Sequence, residues 1–292
     1  MLIAFLIVLQ AVFIIYLVAS RSMLSQRLSR LLQIISILVV LYIVSKRDKG
    51  AYKTLWVFLI LCFPIFGGLL YLLVTFQTAT RIMCKEIRTV QEQTKQLYFL
   101  PGDGYDSAKE ITGSHFPQVR YLQDYVGYPV YSNTRTTYLC PGEAFQEHLL
   151  QQLEKAEHYI FLEFFIVQEG YFWDSIFTIL KRKAAEGVIV RLIYDDLGCF
   201  FVLPTDFAKQ MENAGIECAI FNPFRPFLTV KQNNRDHRKI VVIDGKVAFT
   251  GGINLADEYI NAYEKYGHWK DSAIMLVGKA VWSFTLMFLE MW

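Results

Sequence analysis

The sequence predicts an α/β domain with a mixed sheet, preceded by transmembrane helices. Three observations predict it. Beyond residue 117, apolar strand-like runs alternate with amphipathic helical stretches, as in an α/β sheet. One run ends in Asp244-Gly245 and resumes at Lys246, a hairpin signal that adds antiparallel pairing. The hydrophobic fraction, 54%, is high for a soluble chain, and the longest apolar runs lie before residue 77.

Leu2 to Ala19 is apolar apart from Gln10 and is long enough to span a bilayer. A cleaved signal peptide is the alternative, but no basic residue precedes the run and it exceeds a typical apolar signal core, so an anchor is expected. Leu31 to Val44 is a shorter second candidate. Leu55 to Phe76 is a strong third, with Pro64 and Gly67-Gly68 inside it, which membrane helices tolerate. Arg21, Arg27 and Arg30 flank one loop, and Lys46, Arg47, Lys49 and Lys53 the next. With three spans, the first set shares a side with Arg81, Lys85 and Arg88, which places the C-terminal domain in the cytoplasm. Residues 1–76 are thus read as a membrane anchor region of two or three helices. Residues 77–117 are read as a polar linker containing the turn-rich Leu100-Pro101-Gly102-Asp103-Gly104, and residues 118–292 as the α/β domain.

Within that domain a helix is expected over 143–157, a strand over 159–167, and a helix over 173–186 that stops at Gly187. A strand over 188–194, a helix over 206–213 and a strand over 216–221 follow, and then the hairpin. Asp195-Asp196 closes a strand. Paired carboxylates suit a metal, but a capped strand end is the simpler reading. Glu163 lies inside an apolar strand, so its carboxylate needs a partner, Lys239 or another base. The Phe221–Phe227 loop, with Pro223 and Pro226, is either a packed loop or a rigid lip that touches lipid.

Asp236-His237-Arg238-Lys239-Ile240-Val241-Val242-Ile243-Asp244 carries the chemistry, with Gly251-Gly252-Ile253-Asn254 behind it. On a strand, residues two apart share a face, so His237 and Lys239 point together and Arg238 points away. Lysine binds phosphate as a point charge. A neutral imidazole can attack phosphorus to give a covalent intermediate, and imidazoles change charge near neutral pH. Asn254 can donate an amide N–H to a phosphoryl oxygen, and Gly251 and Gly252 let backbone approach a ligand. Asp244 has a plain role as the first residue of the turn and a second candidate role as part of the site. Together these residues point to phosphodiester chemistry. Net charge is +2, which gives no strong case for nucleic acid as the main partner. Cys62, Cys84, Cys140, Cys199 and Cys218 are scattered without metal-ligand spacing and suit reduced thiols.

The block resembles the HKD motif of the phospholipase D superfamily. The resemblance extends to bacterial cardiolipin synthases of the phospholipase D type. It rests on Asn233 to Ile240, Gly251 to Tyr259, Gly267-His268-Trp269-Lys270-Asp271 and Phe284 to Trp292. Upstream, Gly127-Tyr128-Pro129-Val130, Phe161 to Phe165, Tyr194 to Gly198 and Phe221-Asn222-Pro223-Phe224 also carry it. It implies a multi-pass protein of the bacterial cell membrane. It also implies a phosphatidyl transfer between two phosphatidylglycerol molecules, through a phosphatidyl-histidine, with no metal and no cofactor. By the resemblance, His237 is the nucleophile or its acid/base partner, and Lys239 and Asn254 hold phosphate. Asp244 completes the motif, and Asp271 orients the imidazole.

Such enzymes carry two motifs, and this chain carries one. Pro117, Leu150 and Ile160 stand where His115, His148 and His158 would need a lysine. His268 has Lys270, but Met275 stands where the aspartate belongs. A second half is therefore expected from a homodimer or from sequence beyond Trp292, where an apolar helix starting near Lys279 looks unfinished. The alternatives are a hydrolase of the same chemistry, and an inactive half that needs a partner chain.

Overall fold

A computed structural model describes residues 23–47, 49–63, 88–93, 104–224 and 234–292, together with residues 12, 15, 16, 67, 68, 71 and 85. Most of the expected Leu2–Ala19 span, part of the linker and residues 225–233 lie outside the described residues. The chain divides into two units, Met1–Thr80 with Phe227–Val230, and Arg81–Pro226 with Lys231–Trp292.

The first unit holds α1 (Met23–Ser45) and α2 (Gly50–Cys62). Ile43, Trp56, Ile60 and Tyr71 form a small buried cluster, with the Trp56 and Tyr71 rings edge to face at 5.3 Å. Most of the described apolar side chains of both helices face outward instead. Ile37, Leu38, Leu41, Leu55, Phe58 and Leu61 are all more than half exposed. Among the described residues no helix is long and apolar enough to cross a membrane. The expected second span lies inside α1, whose first turns carry exposed Gln26, Arg27 and Arg30. Of the expected third span, Leu55–Phe76, α2 covers the part up to Cys62, and most of residues 64–76 lie outside the described residues. Phe63 leaves the helical region there, as the residue before a proline tends to do.

The second unit begins with α3 (Tyr105–Thr112) and α4 (Phe116–Tyr121) and then builds a sheet. In chain order the elements are β1 (Thr134–Leu139), α5 (Gly142–Leu153), β2 (Tyr159–Phe164), α6 (Tyr171–Ala185), β3 (Ile189–Asp195), a helical turn (Asp196–Cys199), α7 (Phe207–Asn213), β4 (Glu217–Phe221), β5 (Ile240–Ile243), β6 (Val247–Gly251), β7 (Ala273–Gly278) and α8 (Val281–Met291). The seven strands lie in the order β1-β7-β6-β5-β2-β3-β4. β2, β3 and β4 are parallel and the other pairs antiparallel, so the sheet is mixed. The sequence gives no expectation for β1 or β7. β1 reads Thr-Arg-Thr-Thr-Tyr-Leu and forms one edge, where the pattern of a buried strand is absent.

Strand periodicity sorts the core. Ile160, Leu162, Phe164, Val241 and Ile243 pack against Phe145 and Leu149 of α5, Trp173 and Ile176 of α6, and Phe207 of α7. Phe161, Ile193, Ile240 and Val242 point to the opposite face and meet α8, where Phe288 stacks on Phe161 at 4.5 Å. The result is three layers.

The register aligns the chemistry at one end. Glu163 pairs with Ile240, Asp195 with Phe221, and Gly251 with Ala273. The ends of β2, β3, β4 and β6 therefore meet the starts of β5 and β7. Asp244 sits at the far end of β5. It and Gly245 both have positive φ, at 51° and 63°, as a tight hairpin turn of this hand requires. Its carboxylate accepts the N–H groups of Glu157 (2.9 Å), His158 (2.8 Å) and Tyr159 (2.9 Å), which clips the start of β2 to the turn. Burial acts against the carboxylate charge, but these three donors prevail and hold Asp244 below its ordinary pKa. Replacing Asp244 with Ala is expected to cost about 2–3 kcal/mol through three lost charge-assisted bonds. Thermal unfolding of the variant checks this, and an unchanged midpoint would remove the clip from the account.

Candidate active site

The site is built outward from the end of β3. Asp195 is fully buried. Its carboxylate caps the turn that follows by accepting Leu197 N–H at 2.9 Å and Gly198 N–H at 3.3 Å. It also accepts Asp236 N–H at 2.9 Å and Arg235 Nη1 at 3.2 Å. The paired carboxylates are therefore a strand-end cap and an anchor. Asp196 is also engaged, accepting the Phe224 N–H. Asn222, at the end of β4 with φ of 45°, donates its side-chain amide to Asn234 O at 2.8 Å. Arg235 Nη1 donates to Asn222 O at 3.0 Å. The irregular segment 234–239 is thereby fixed before it becomes β5.

Alternation then delivers the motif. The His237 side chain is exposed and lies against the Phe165 ring, centroids 4.7 Å apart. Lys239 is only 5% exposed; its Nζ donates to His237 O at 2.9 Å and lies 5.5 Å from the same Phe165 ring. Burial lowers the Lys239 pKa, opposed by the negative charges of Asp236 and Asp271. Asn254 is buried. It accepts Ile166 N–H at 3.0 Å and donates to Tyr259 Oη at 2.9 Å. One amide hydrogen is left for a ligand. Gly252 packs so closely on Asp271 that a Cβ would overlap its carboxylate, and one on Gly251 would overlap Ser272 O. Asp271 accepts Ser272 N–H at 2.7 Å rather than a bond from the imidazole. Among the described residues, no side chain hydrogen-bonds the His237 ring.

His237, Lys239 and Asn254 thus gather around Phe165 and Ile166, with Asp271, on which Gly252 packs, close enough for its charge to act on Lys239. Two predicted residues do not join them. Asp244 is at the other end of the strand. Glu163 points to the opposite face of the sheet, where Arg238 rather than Lys239 is its cation. Arg238 Nη2 lies 2.5 Å from Glu163 Oε1, without hydrogen-bond alignment, and Arg238 Nε donates to Asp236 Oδ1 at 3.2 Å.

Residues 149–275 match the family described as "Cardiolipin synthase, PLD-like domain", and residues 31–74 match "Phospholipase_D-nuclease N-terminal". The chain is therefore similar to cardiolipin synthases of the phospholipase D type over these segments. It is 33% identical over 263 residues to a cardiolipin synthase of Alkalihalophilus pseudofirmus, which covers 88% of this chain and 52% of that protein. It is 35% identical over 256 residues to cardiolipin synthase 2 of Bacillus cereus, covering 86% and 49%. A Streptococcus mutans protein described as uncharacterized is 45% identical, covering 87% and 55%. The chain spans about half the length of the curated relatives it matches. Among solved structures, NucT from Helicobacter pylori is similar with a TM-score of 0.43 at 11% identity, covering 55% of this chain and 96% of that one. Phosphatidylserine synthase of Haemophilus influenzae has a TM-score of 0.43 at 15% identity, covering 53% and 35%.

The side chains that hold the motif in place reach beyond the expected site residues. Asp195, Asn222, Arg235, Asp236, Arg238 and Phe165 need the tertiary fold to bring them together. Two of them carry a signal in sequence: Asp236 adjoins His237, and Asp195 reads as the cap of a strand end.

Burial pushes the Glu163 carboxyl up to about 9, helped by hydrogen bonding and charge from Asp236 and opposed by Arg238. It is therefore held as the neutral acid beside Asp236. An unfolded glutamate ionises near its ordinary value of 4.5. The stability gained from the protonated form is fully present below that value and is lost as pH rises towards 9. Glu163→Gln removes this titration. The variant is expected to gain stability relative to the parent between about pH 5 and 9. Unfolding midpoints across that range test it, and parallel curves for the two proteins would contradict the assignment.

Proposed function

We propose that this chain supplies half of a membrane-bound cardiolipin synthase site, with phosphatidylglycerol as donor and acceptor. The observation that carries the reading is the juxtaposition of an exposed His237, a buried Lys239 and a half-committed Asn254 in a domain similar to those of cardiolipin synthases. In the proposed reaction the neutral His237 imidazole attacks phosphorus, a P–N bond forms, and the bond to the headgroup glycerol breaks. A second histidine gives the departing alkoxide its proton. That histidine then takes a proton from a hydroxyl of another phosphatidylglycerol. The hydroxyl oxygen attacks phosphorus, releases His237 and forms cardiolipin. Lys239 and Asn254 stabilise the charge on the phosphoryl oxygens, and Asp271 orients the imidazole once a ligand is bound. The second motif comes from a second copy of this chain or from a further polypeptide segment.

The exposed apolar faces of α1 and α2, with the apolar runs at 2–19 and 55–76, support a multi-pass membrane region. The catalytic unit is placed on the cytoplasmic side.

Lipid analysis of membranes from a host without its own cardiolipin tests the reading. In the assembly that forms cardiolipin, replacing His237 with Ala is expected to lower synthesis by about a thousandfold or more. Undiminished synthesis in that variant would overturn it.

A further inference from the structure

The two ends of the sheet differ in surface chemistry. The loops at the far end present charge, with Glu154, Lys155, Glu157, Glu186 and Lys246 exposed. The loop that follows β3 at the site end presents apolar side chains instead. Leu197 is 38% exposed, Phe200 46% and Phe201 90%. These residues are not on a loose tail. The turn that carries them is capped by Asp195, and Phe224 N–H is bound to Asp196. The Phe200 ring packs edge-on against Phe201 and Phe224, each at 5.0 Å.

A second loop at this end runs between Asn254 and Asp271. It exposes Tyr263 at 60% and Tyr266 at 77%. Exposed Lys270 lies beside them, as do Glu264 and Lys265, whose Nζ pairs with Glu258 Oε1 at 3.0 Å and sits 5.6 Å from the Tyr266 ring. Both loops are fixed to the site. The first shares Asp195 with the Asp236 backbone, and the second begins and ends on site residues.

An apolar patch held rigidly beside a site marks an interaction surface. Phenylalanine with tyrosine and lysine is the composition of a membrane interface, where rings sit at headgroup depth and ammonium groups meet anionic phosphate. We propose that this end of the sheet docks on an anionic bilayer. Leu197, Phe200 and Phe201 enter the headgroup–acyl boundary, and Tyr263 and Tyr266 lie at headgroup level. The proposal rests on the lipid substrate inferred above. A phosphodiester whose acyl chains stay in the bilayer reaches His237 only if the site end faces the membrane.

The test uses the full chain in phosphatidylglycerol vesicles with brominated acyl chains, which quench nearby indoles. Phe201→Trp reports the site end and Lys246→Trp the far end, each as the emission added to that of the parent chain. Phe201→Trp is expected to lose most of its added emission, and Lys246→Trp to keep it. Unquenched Phe201→Trp, or equal quenching of both, overturns the docking face. Cardiolipin formation in the same vesicles separates the two readings. Product without quenching keeps the reaction and removes the docking face. Quenching without product, even when a second motif is supplied, keeps the docking face and removes the reaction.

Discussion

The site depends on one buried carboxylate. Asp195 ends β3, and its two oxygens are divided between the helical turn that follows it and the segment that leads into β5. The Asp236 N–H that it accepts belongs to the residue just before His237. Residues 234–239 have no strand or helix of their own, so this bond does for them what a ladder does for a strand. Because Asp195 also caps the turn with the exposed phenylalanines, one acid sets both the imidazole backbone and the apolar rim.

Burying that acid creates a charge problem, and the local composition resolves it. Asp195, Asp236 and Glu163 are three carboxyl groups, each at most 4% exposed. Arg235 and Arg238 are the two guanidinium groups in contact with them. Two cations balance two anions, so the third carboxyl is stable in the interior only as the neutral acid. Glu163 takes that role because, unlike Asp195, which accepts three backbone N–H groups, it has no hydrogen-bond donor on either oxygen, and it faces Asp236. Its proton also serves carboxylate oxygens that otherwise have no donor, Glu163 Oε2 and Asp236 Oδ2.

What sequence reveals here follows the range of each interaction. The shared face of His237 and Lys239, the Asp244-Gly245 turn and the α/β alternation are local, and the structure shows each. The anchor role of Asp195 joins residues forty-one positions apart, and the cation facing Glu163 is chosen by the face of a neighbouring strand. Neither is visible in local pattern. The glycine pair shows the same limit. Gly251 and Gly252 read as room for a ligand, but their absent side chains first make room for Asp271 and Ser272. β1 escaped notice because an edge strand needs only one buried neighbour, and its threonines carry no apolar alternation.

The unequal burial of His237 and Lys239 has its own logic. They share a face, but Lys239 is one pleat nearer β5 and so lies under the Phe165 ring, whereas His237 stays at the rim. A cation held there loses part of its hydration before any ligand arrives, and burial lowers its pKa accordingly. Asp236 and Asp271 oppose that shift, so the ammonium keeps negative charge within reach. In the proposed reaction the same arrangement lets a phosphoryl group replace weak partners, a backbone carbonyl and a ring face, with a stronger one. Among the described residues no side chain hydrogen-bonds the imidazole at the rim, so it can turn to meet the phosphorus without breaking such a bond. A fixed cation beneath a free nucleophile suits a substrate that arrives from one direction only, from the side of the sheet where the aromatic loops stand.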